Sequence, residues 1–207
     1  MAESNSAGFT LPEYENGAEY IGHHLGFLKY GQLPDGSWGF AHSVEEANAM
    51  GFWSIHVDSM LMSILLGIIF MGLFYFVSRK ATSGVPTGLQ NGVEFLVEMV
   101  QGTIKNTFFG KNNLIGPLSL TIFCWIFMMN LMDLVPVDWI PLLAQVIAQD
   151  SHLYFKAVPT TDINITAGFA ISVFILVIFY SIKIKGMGGF LGEFAFHPFG
   201  KWALPLN

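Results

Sequence analysis

Residues 114–136, LIGPLSLTIFCWIFMMNLMDLVP, form an apolar stretch long enough to cross a lipid bilayer as a helix. The stretch nevertheless contains Asn130 and Asp133. Counted from Ile115 at about 1.5 Å per residue, they lie about 22 and about 27 Å along a hydrocarbon core about 30 Å thick. Their spacing of three predicts one polar helix face near one membrane surface. Two explanations stay open here: a functional acid beside water, or an aspartate solvated by lipid headgroups.

The composition is typical of a membrane protein that crosses the bilayer several times. Hydrophobic residues make up 53% of the 207 positions and charged residues 12%, against about 25% charged residues in an ordinary soluble domain. Nothing in this balance favours nucleic-acid binding. The one cysteine, Cys124, lies inside the apolar stretch, so the chain cannot form an internal disulfide or a cysteine-based metal site. We recognise no nucleotide-binding loop, nucleophile and base pair, or metal cluster, and therefore predict no cofactor and no independent enzyme activity.

Two more apolar segments predict membrane helices. The first, at residues 60–77, follows Asp58 and Ser59, which stand where an N-cap belongs, and ends before Arg79. The third, at residues 163–182, follows a candidate cap at Asp162. The predicted fold class is an all-α polytopic membrane protein, with three transmembrane helices, amphipathic interfacial helices and a C-terminal re-entrant hairpin.

The charges of the connecting segments predict the orientation. Residues 78–113 contain four basic residues, whereas residues 137–162 contain one lysine and three aspartates. Cytoplasmic loops are enriched in lysine and arginine, so we place the first segment in the cytoplasm and the second outside. The N-terminus is then periplasmic. The residues behind this prediction are Arg79, Lys80, Lys105 and Lys111, then Asp138, Asp150, Lys156 and Asp162, and finally Lys183, Lys185 and Lys201.

Three domains follow from these predictions: a periplasmic tail at 1–57, a membrane domain at 58–185 and a broken hairpin at 186–207. The membrane domain includes a cytoplasmic amphipathic helix at 86–108, and a shorter amphipathic piece lies at 137–149. Within the tail, residues 19–28 predict a short helix, and the glycine-rich residues 26–40 predict irregular chain. Because no basic segment followed by an apolar core appears near Met1, we expect no cleaved signal peptide in this tail. Adjacent His23 and His24 point in different directions and lack a third ligand, which favours a surface role over a metal site.

Small residues form two stripes at helical spacing. One stripe lies on the first span and one on the third, and each repeats every four residues. Such stripes allow close helix packing, which we favour over a pore lining. The members are Ser59, Ser63 and Gly67 in the first stripe and Asn164, Gly168 and Ser172 in the second.

Four aspartates fall at the predicted outer ends of the spans or in the loop beside them: Asp58, Asp133, Asp138 and Asp162. Carboxylates gathered on one side can line a water-filled inlet that exchanges protons. Asp58 and Asp162 can equally serve as helix caps. Asp133 comes near the end of its helix, where the helix dipole disfavours negative charge by up to about 1 kcal/mol, so it is the strongest single candidate for a functional acid.

Several motifs together resemble the a subunit of bacterial F-type ATP synthases over nearly the whole chain, except the N-terminal tail. They are IHVDSM, RKATSGVP, PLSLTIF, NLMDLVPVDWIP, FYSIKIKGMGG and HPFGKWALPLN. The resemblance implies a stator subunit in the inner membrane, with two offset half-channels that carry protons past a rotating c ring. It implies the c ring, the b subunits, the rest of the complex and the lipid bilayer as partners. By motif, Asn130, Asp133 and Asp138 would stand beside the outer half-channel, with Asp58 near its mouth.

One feature departs from the family pattern. The family has an indispensable arginine on a later membrane helix, whereas the one arginine here, Arg79, flanks the first span. We therefore expect an N-terminal portion of the subunit, with the arginine and the inner half-channel beyond Asn207. The residues leave open a structural membrane anchor without ion conduction. A secondary transporter would need internal repeats, and the three spans show none that convince. The choice between protons and sodium and the size of the c ring stay open.

Overall fold

The computed structural model describes residues 12, 14–107 and 112–196, without the side chains of residues 194 and 196. Phe108, the end of the predicted amphipathic helix, Lys111, Lys201 and the predicted hairpin residues 197–207 lie outside them. The described part is mostly helical with one small sheet. Its helices are α1 (Gly17–Leu25), α2 (Val44–Ala49), α3 (Val57–Lys80), α4 (Gly88–Thr107), α5 (Ile115–Leu131), α6 (Trp139–Ala148) and α7 (Ile163–Phe196). Its strands are β1 (Lys29–Gln32), β2 (Trp38–Phe40) and β3 (Ile55–His56), and short 3-10 turns lie at Met132–Leu134 and Pro159–Thr161.

Residues 26–40 contain a β-hairpin, so the expectation of irregular chain there is wrong. A Pro-Asp-Gly-Ser turn joins β1 to β2, and Gly36 supplies the positive φ of 86° that the turn needs. The Asp35 carboxylate accepts hydrogen bonds from the Ser37 hydroxyl at 2.7 Å and its backbone N–H at 2.9 Å, which lower the pKa of Asp35. The glycine that suggested irregular chain at position 36 instead forms a tight turn.

The hairpin is part of a three-stranded antiparallel sheet in the order β2-β1-β3. α2 and the residues after it contact one side of the sheet: Lys29 Nζ donates to the Ala47 carbonyl of α2 at 3.1 Å, and Gly31 is buried against Met50 and Ser54, which follow α2. β3 ends at His56 and α3 begins at the next residue. The sheet is therefore joined directly to the first long apolar helix.

Within residues 12–196 as described, three helices are long and apolar enough to cross a membrane, at Val57–Lys80, Ile115–Leu134 and Ile163–Glu193, in agreement with the three predicted spans. α3 starts three residues before the predicted span. Its N-cap is His56, so the prediction that Asp58 and Ser59 cap the helix is wrong. Asp58 instead lies inside the first turn, where an acidic group is favourable to the helix dipole.

α3 and α5 pack through the first small-residue stripe. Ser59 and Ser63 are buried, and Trp125 of α5 donates its indole N–H to the Ser63 carbonyl at 2.8 Å. A Cβ added to Gly67 would lie 2.9 Å from the Trp125 ring. The missing side chain at Gly67 therefore allows the indole to approach α3 closely.

A valine at Gly67 should separate these two helices. The indole is held by its hydrogen bond to Ser63 and cannot move aside freely, so we expect Gly67→Val to lower the free energy of unfolding by roughly 1–3 kcal/mol. Gly72→Val is the matched control, because a Cβ at Gly72 meets no described atom within 4 Å. Thermal unfolding of the purified membrane protein measures both. Equal midpoints for the two variants would contradict the close packing of α3 on α5.

The two predicted amphipathic helices are present. The helix predicted at 86–108 is α4, Gly88–Thr107, and the piece predicted at 137–149 is α6, Trp139–Ala148. α4 contacts both α3 and α5, and its Val100 is buried. The cytoplasmic position of α4 stays a prediction.

α7 belongs to a compact unit separate from the rest of the chain. It is helical from Ile163 until Gly186, where φ is 71° and ψ is 164°, and helical again up to Phe196. The break falls at the predicted boundary between residues 185 and 186, and Lys185 pairs with Glu193 across it. Gly186 therefore separates two helical segments, and the re-entrant hairpin predicted for residues 186–207 stays a prediction.

Candidate functional site

The polar residues that the sequence singled out divide into buried and exposed groups. Asp58 is fully buried at the start of α3. Its Oδ2 atom accepts hydrogen bonds from the backbone N–H groups of Leu28 and Lys156, both at 2.9 Å, and its Oδ1 atom accepts one from Ser59 N–H at 2.8 Å. One carboxylate thus joins the N-terminal segment, α3 and the loop before α7.

A second buried aspartate lies close to this junction. Asp162 is 2% exposed, and its Oδ2 atom accepts a hydrogen bond from His56 Nδ1 at 2.7 Å. The His56 ring stacks on the Phe27 ring with 4.4 Å between centroids. The Lys156 ammonium lies 4.6 Å from the centroid of the same Phe27 ring. Both buried aspartates therefore hold the N-terminal segment against the loop that leads to α7.

Asn130 lies at the end of α5 and is exposed. Its Nδ2 group donates to the Ile126 carbonyl at 2.9 Å, and its Oδ1 atom accepts from the Thr160 hydroxyl at 3.0 Å. Asp133 lies in the 3-10 turn Met132–Leu134, which directly follows α5. Residues three apart still lie above one another in such a turn, and the shared face of Asn130 and Asp133 stays a prediction. Asp133 is exposed, and we find no hydrogen bond or ion pair to its carboxylate within the described residues.

Asp138 lies just before α6 and contacts α1. Its Oδ1 atom accepts a hydrogen bond from the Tyr20 hydroxyl at 2.9 Å, and His24 Nε2 lies 3.1 Å from the same oxygen. The hydrogen bond to Asp138 raises the pKa of Tyr20, which keeps the phenol protonated as a donor. This exposed carboxylate fastens α1 to the segment between α5 and α6.

The neighbouring histidine, His23, faces the other way. Its ring stacks on Tyr154, and its Nε2 atom lies 3.4 Å from the His152 carbonyl, which can only accept. Burial lowers the pKa of His23, so the neutral ring with a proton on Nε2 fits both neighbours. The described residues show no group of three or more metal-ligating side chains. In the described structure His23 contacts Tyr154 and the His152 carbonyl, whereas His24 contacts Tyr20 and the Asp138 carboxylate.

Arg79 and Lys80 occupy the opposite end of α3 from these acids. Twenty-one residues separate Asp58 from Arg79, which corresponds to about 32 Å along the helix axis. Arg79 lies over the Tyr75 ring at 5.9 Å, and Lys80 over the Phe76 ring at 4.1 Å. The single arginine therefore belongs to the basic end of the molecule and cannot reach the acidic end.

Known proteins resemble this chain closely. A family profile described as ATP synthase A chain matches residues 60–207. ATP synthase subunit a 2 of Hahella chejuensis is 59% identical over 195 residues, which cover 94% of this chain and 71% of that protein. The corresponding values for subunit a of Marinomonas sp. are 54% over 201 residues, 94% and 71%. For subunit a of Pseudomonas putida they are 58% over 186 residues, 90% and 64%.

The chain belongs to the ATP synthase subunit a family. This family is the proton-channel component of the membrane Fo sector and a non-catalytic part of the rotary complex. Membership in the subunit a family implies a complex with other subunits of the synthase. It also agrees with the three long apolar helices of the structure.

Several side chains that hold the polar end of the subunit a spans together are not identified by the sequence. His56 stands two residues before Asp58 in the IHVDSM motif, and that proximity was the one available signal for it. Trp125 and Thr160 carried no signal, because each acts through a partner more than 25 positions away in the chain. The second stripe, Asn164, Gly168 and Ser172, lies on α7, where the Ser172 hydroxyl donates to the Gly168 carbonyl at 2.7 Å. Its packing role stays a prediction.

Proposed function

We propose that this chain forms the outer half-channel of the Fo stator, which delivers protons from the periplasm to a rotating c ring. The observation that carries the proposal is the segregation of polar groups along the spans. Asn130 and Asp133 are exposed at one end of α5, and Thr160 extends the polar surface beside them. Exposed amide, hydroxyl and carboxylate groups at the end of apolar helices mark a place that water can enter.

The acids have different roles in this proposal. Asp133 and Asp138 are exposed and can exchange protons with water, and Asn130 can order water molecules between them and the membrane interior. Asp58 and Asp162 are buried, and their oxygens are occupied by the contacts described above. We assign these two to holding the mouth of the inlet in place, near the proton path rather than as steps along it.

The orientation is part of the proposal. The end with Asn130 and Asp133 would face the periplasm together with the N-terminal sheet, and the basic end with Arg79, Lys80 and Lys105 would face the cytoplasm, as the positive-inside rule favours. The membrane would be the bacterial inner membrane. The c ring and the b subunits would be the direct partners, and the c ring would carry the protons onward.

Sided labelling of a cysteine at Asn130 tests the proposal. In a Cys124→Ala background, Asn130→Cys should react with a charged, membrane-impermeant methanethiosulfonate only from the side that carries the N-terminal sheet. The assembled synthase is reconstituted into vesicles of both orientations, and the rate of labelling is measured from each side of the membrane. The reason for the difference is that charged reagents and thiolates need water, which the proposal places on that side alone.

Phe127→Cys is the matched control. Phe127 lies three residues earlier on α5 and is 51% exposed, but its surroundings are apolar. It should react slowly from both sides, because the bilayer would cover it. Equal labelling of the two positions, or reaction of Asn130→Cys only from the side of Arg79, would overturn the proposed inlet.

A further inference from the structure

The N-terminal sheet has one covered face and one partly exposed face, which we call the bare face; there Tyr30 is 36% and Phe40 42% exposed, and Phe40 lines a cavity with Leu153. On the covered face, Gly31 is buried against Ser54 and Met50 of the α2 side. The strand register pairs Tyr30 with Phe40 on one side and with Ile55 on the other. Directly paired residues of a sheet share a face. These three side chains therefore form one row across the bare face.

Further large side chains enlarge this row. Trp38 pairs with Gln32, which lies two residues from Tyr30 and so faces the same way. Phe52 and Trp53 precede Ile55 in the chain by three and two residues, are 91% and 81% exposed, and lie with their ring centroids 5.5 Å apart. We call this set the aromatic surface, and its members are Tyr30, Trp38, Phe40, Phe52, Trp53 and Ile55. An uncharged surface of this kind marks a site of interaction.

The connection to α3 places the aromatic surface beside the bilayer. β3 leads into α3 without an intervening residue, and Trp53 is four residues before Val57, hence within about 14 Å of it. The 24 residues of α3 extend about 36 Å, which exceeds a hydrocarbon core of about 30 Å. The first turn of α3 must then lie close to the headgroup layer. The sheet attached to it lies at the same level.

The chemistry of the two faces fits the boundary between lipid and water. Trp and Tyr are enriched at this depth, because their rings are apolar and their N–H and O–H groups remain hydrogen-bonded. The covered face carries the polar helix α2, with Glu45 and Glu46 in its first turn. The small sheet with α2 is therefore amphipathic in the manner of an interfacial helix.

The geometry points to an interfacial membrane anchor: the aromatic surface lies in the phospholipid headgroup layer at the amino end of α3. It holds the N-terminal sheet on the membrane next to the junction at Asp58. This role depends on α3 as a membrane helix and is independent of the proton path.

Spin labels at two positions in the assembled, membrane-reconstituted synthase test the anchor. One label is placed at Phe52→Cys in a Cys124→Ala background. The other is placed at Glu45→Cys, an exposed control position on α2. Power saturation measures collisions of each label with oxygen, which partitions into lipid, and with a nickel chelate, which stays in water. The ratio of oxygen to nickel collisions should be several-fold higher at position 52 than at position 45.

Three outcomes separate the possible occupants. A high ratio at position 52 supports the lipid interface. Equal and strong nickel collisions at both positions mean that water covers the aromatic surface, and the anchor is then overturned. Shielding of position 52 from both oxygen and the nickel chelate means that protein, and not lipid, covers the aromatic surface, and this result also overturns the proposed membrane anchor. The labelled positions are exposed, so the folded state should survive both substitutions.

Discussion

Asp58→Ala is expected to destabilise the subunit by roughly 3–5 kcal/mol, because it leaves buried backbone N–H groups without an acceptor. The carboxylate accepts from Leu28, Ser59 and Lys156 at a site with no solvent exposure. Water cannot replace it without opening the junction. The amides of Leu28 and Lys156 should therefore exchange with deuterium much faster in the variant, which hydrogen exchange with mass spectrometry of the purified protein detects.

A second aspartate provides the control for this substitution. Asp35 also accepts hydrogen bonds from a nearby backbone N–H and a hydroxyl, but it lies on the exposed hairpin turn. Asp35→Ala should leave exchange at Leu28 and Lys156 unchanged. If Asp58→Ala also left those two amides protected, the proposed role of Asp58 as the junction of three segments would be wrong.

The long helices could be predicted from the sequence because their signal is local. Runs of apolar residues of the right length give the spans at α3, α5 and α7, and the periodicity of 86–108 gives α4. The hairpin at residues 29–40 is not predicted, because its glycines and proline indicate irregular chain when the sequence is considered alone. In fact Gly36 and Pro34 are suited to a tight turn, and the strands on either side are only four and three residues long.

The side of the site could be anticipated, but not the roles of its residues. The motif and the loop charges placed Asn130 and the four aspartates at one end. Burial then separates them, since Asp58 and Asp162 have partners 98 and 106 positions away in Lys156 and His56. No pattern of neighbouring residues contains such contacts. For the same reason, the sequence suggested a cap at Asp58, while the structure has His56 in that position.

Asp133→Asn is expected to lower proton flux through the assembled synthase on the order of 100-fold, the lower end of what a positioned proton-transfer group contributes. Asparagine has nearly the shape of aspartate, but it cannot take up and release a proton at physiological pH. Asp133 is exposed at the end of α5, so the substitution should leave folding and assembly intact. Subunit composition and ATP hydrolysis by the purified complex verify this.

Two further variants define the comparison. Asp133→Glu keeps an ionisable carboxyl group one methylene farther from the backbone and should retain a large part of the flux. Asp35→Asn changes an exposed carboxylate on the hairpin turn, away from α5, and should conduct as the unmodified protein does. Together they separate loss of the proton-binding group from a change of charge alone.

Proton flux into liposomes that contain the reconstituted synthase with Asp133→Asn decides whether Asp133 carries protons. We expect a strong loss of flux with normal assembly, and substantial flux in Asp133→Glu. Flux at the unmodified rate in Asp133→Asn would contradict the claim that the exposed end of α5 carries the incoming proton.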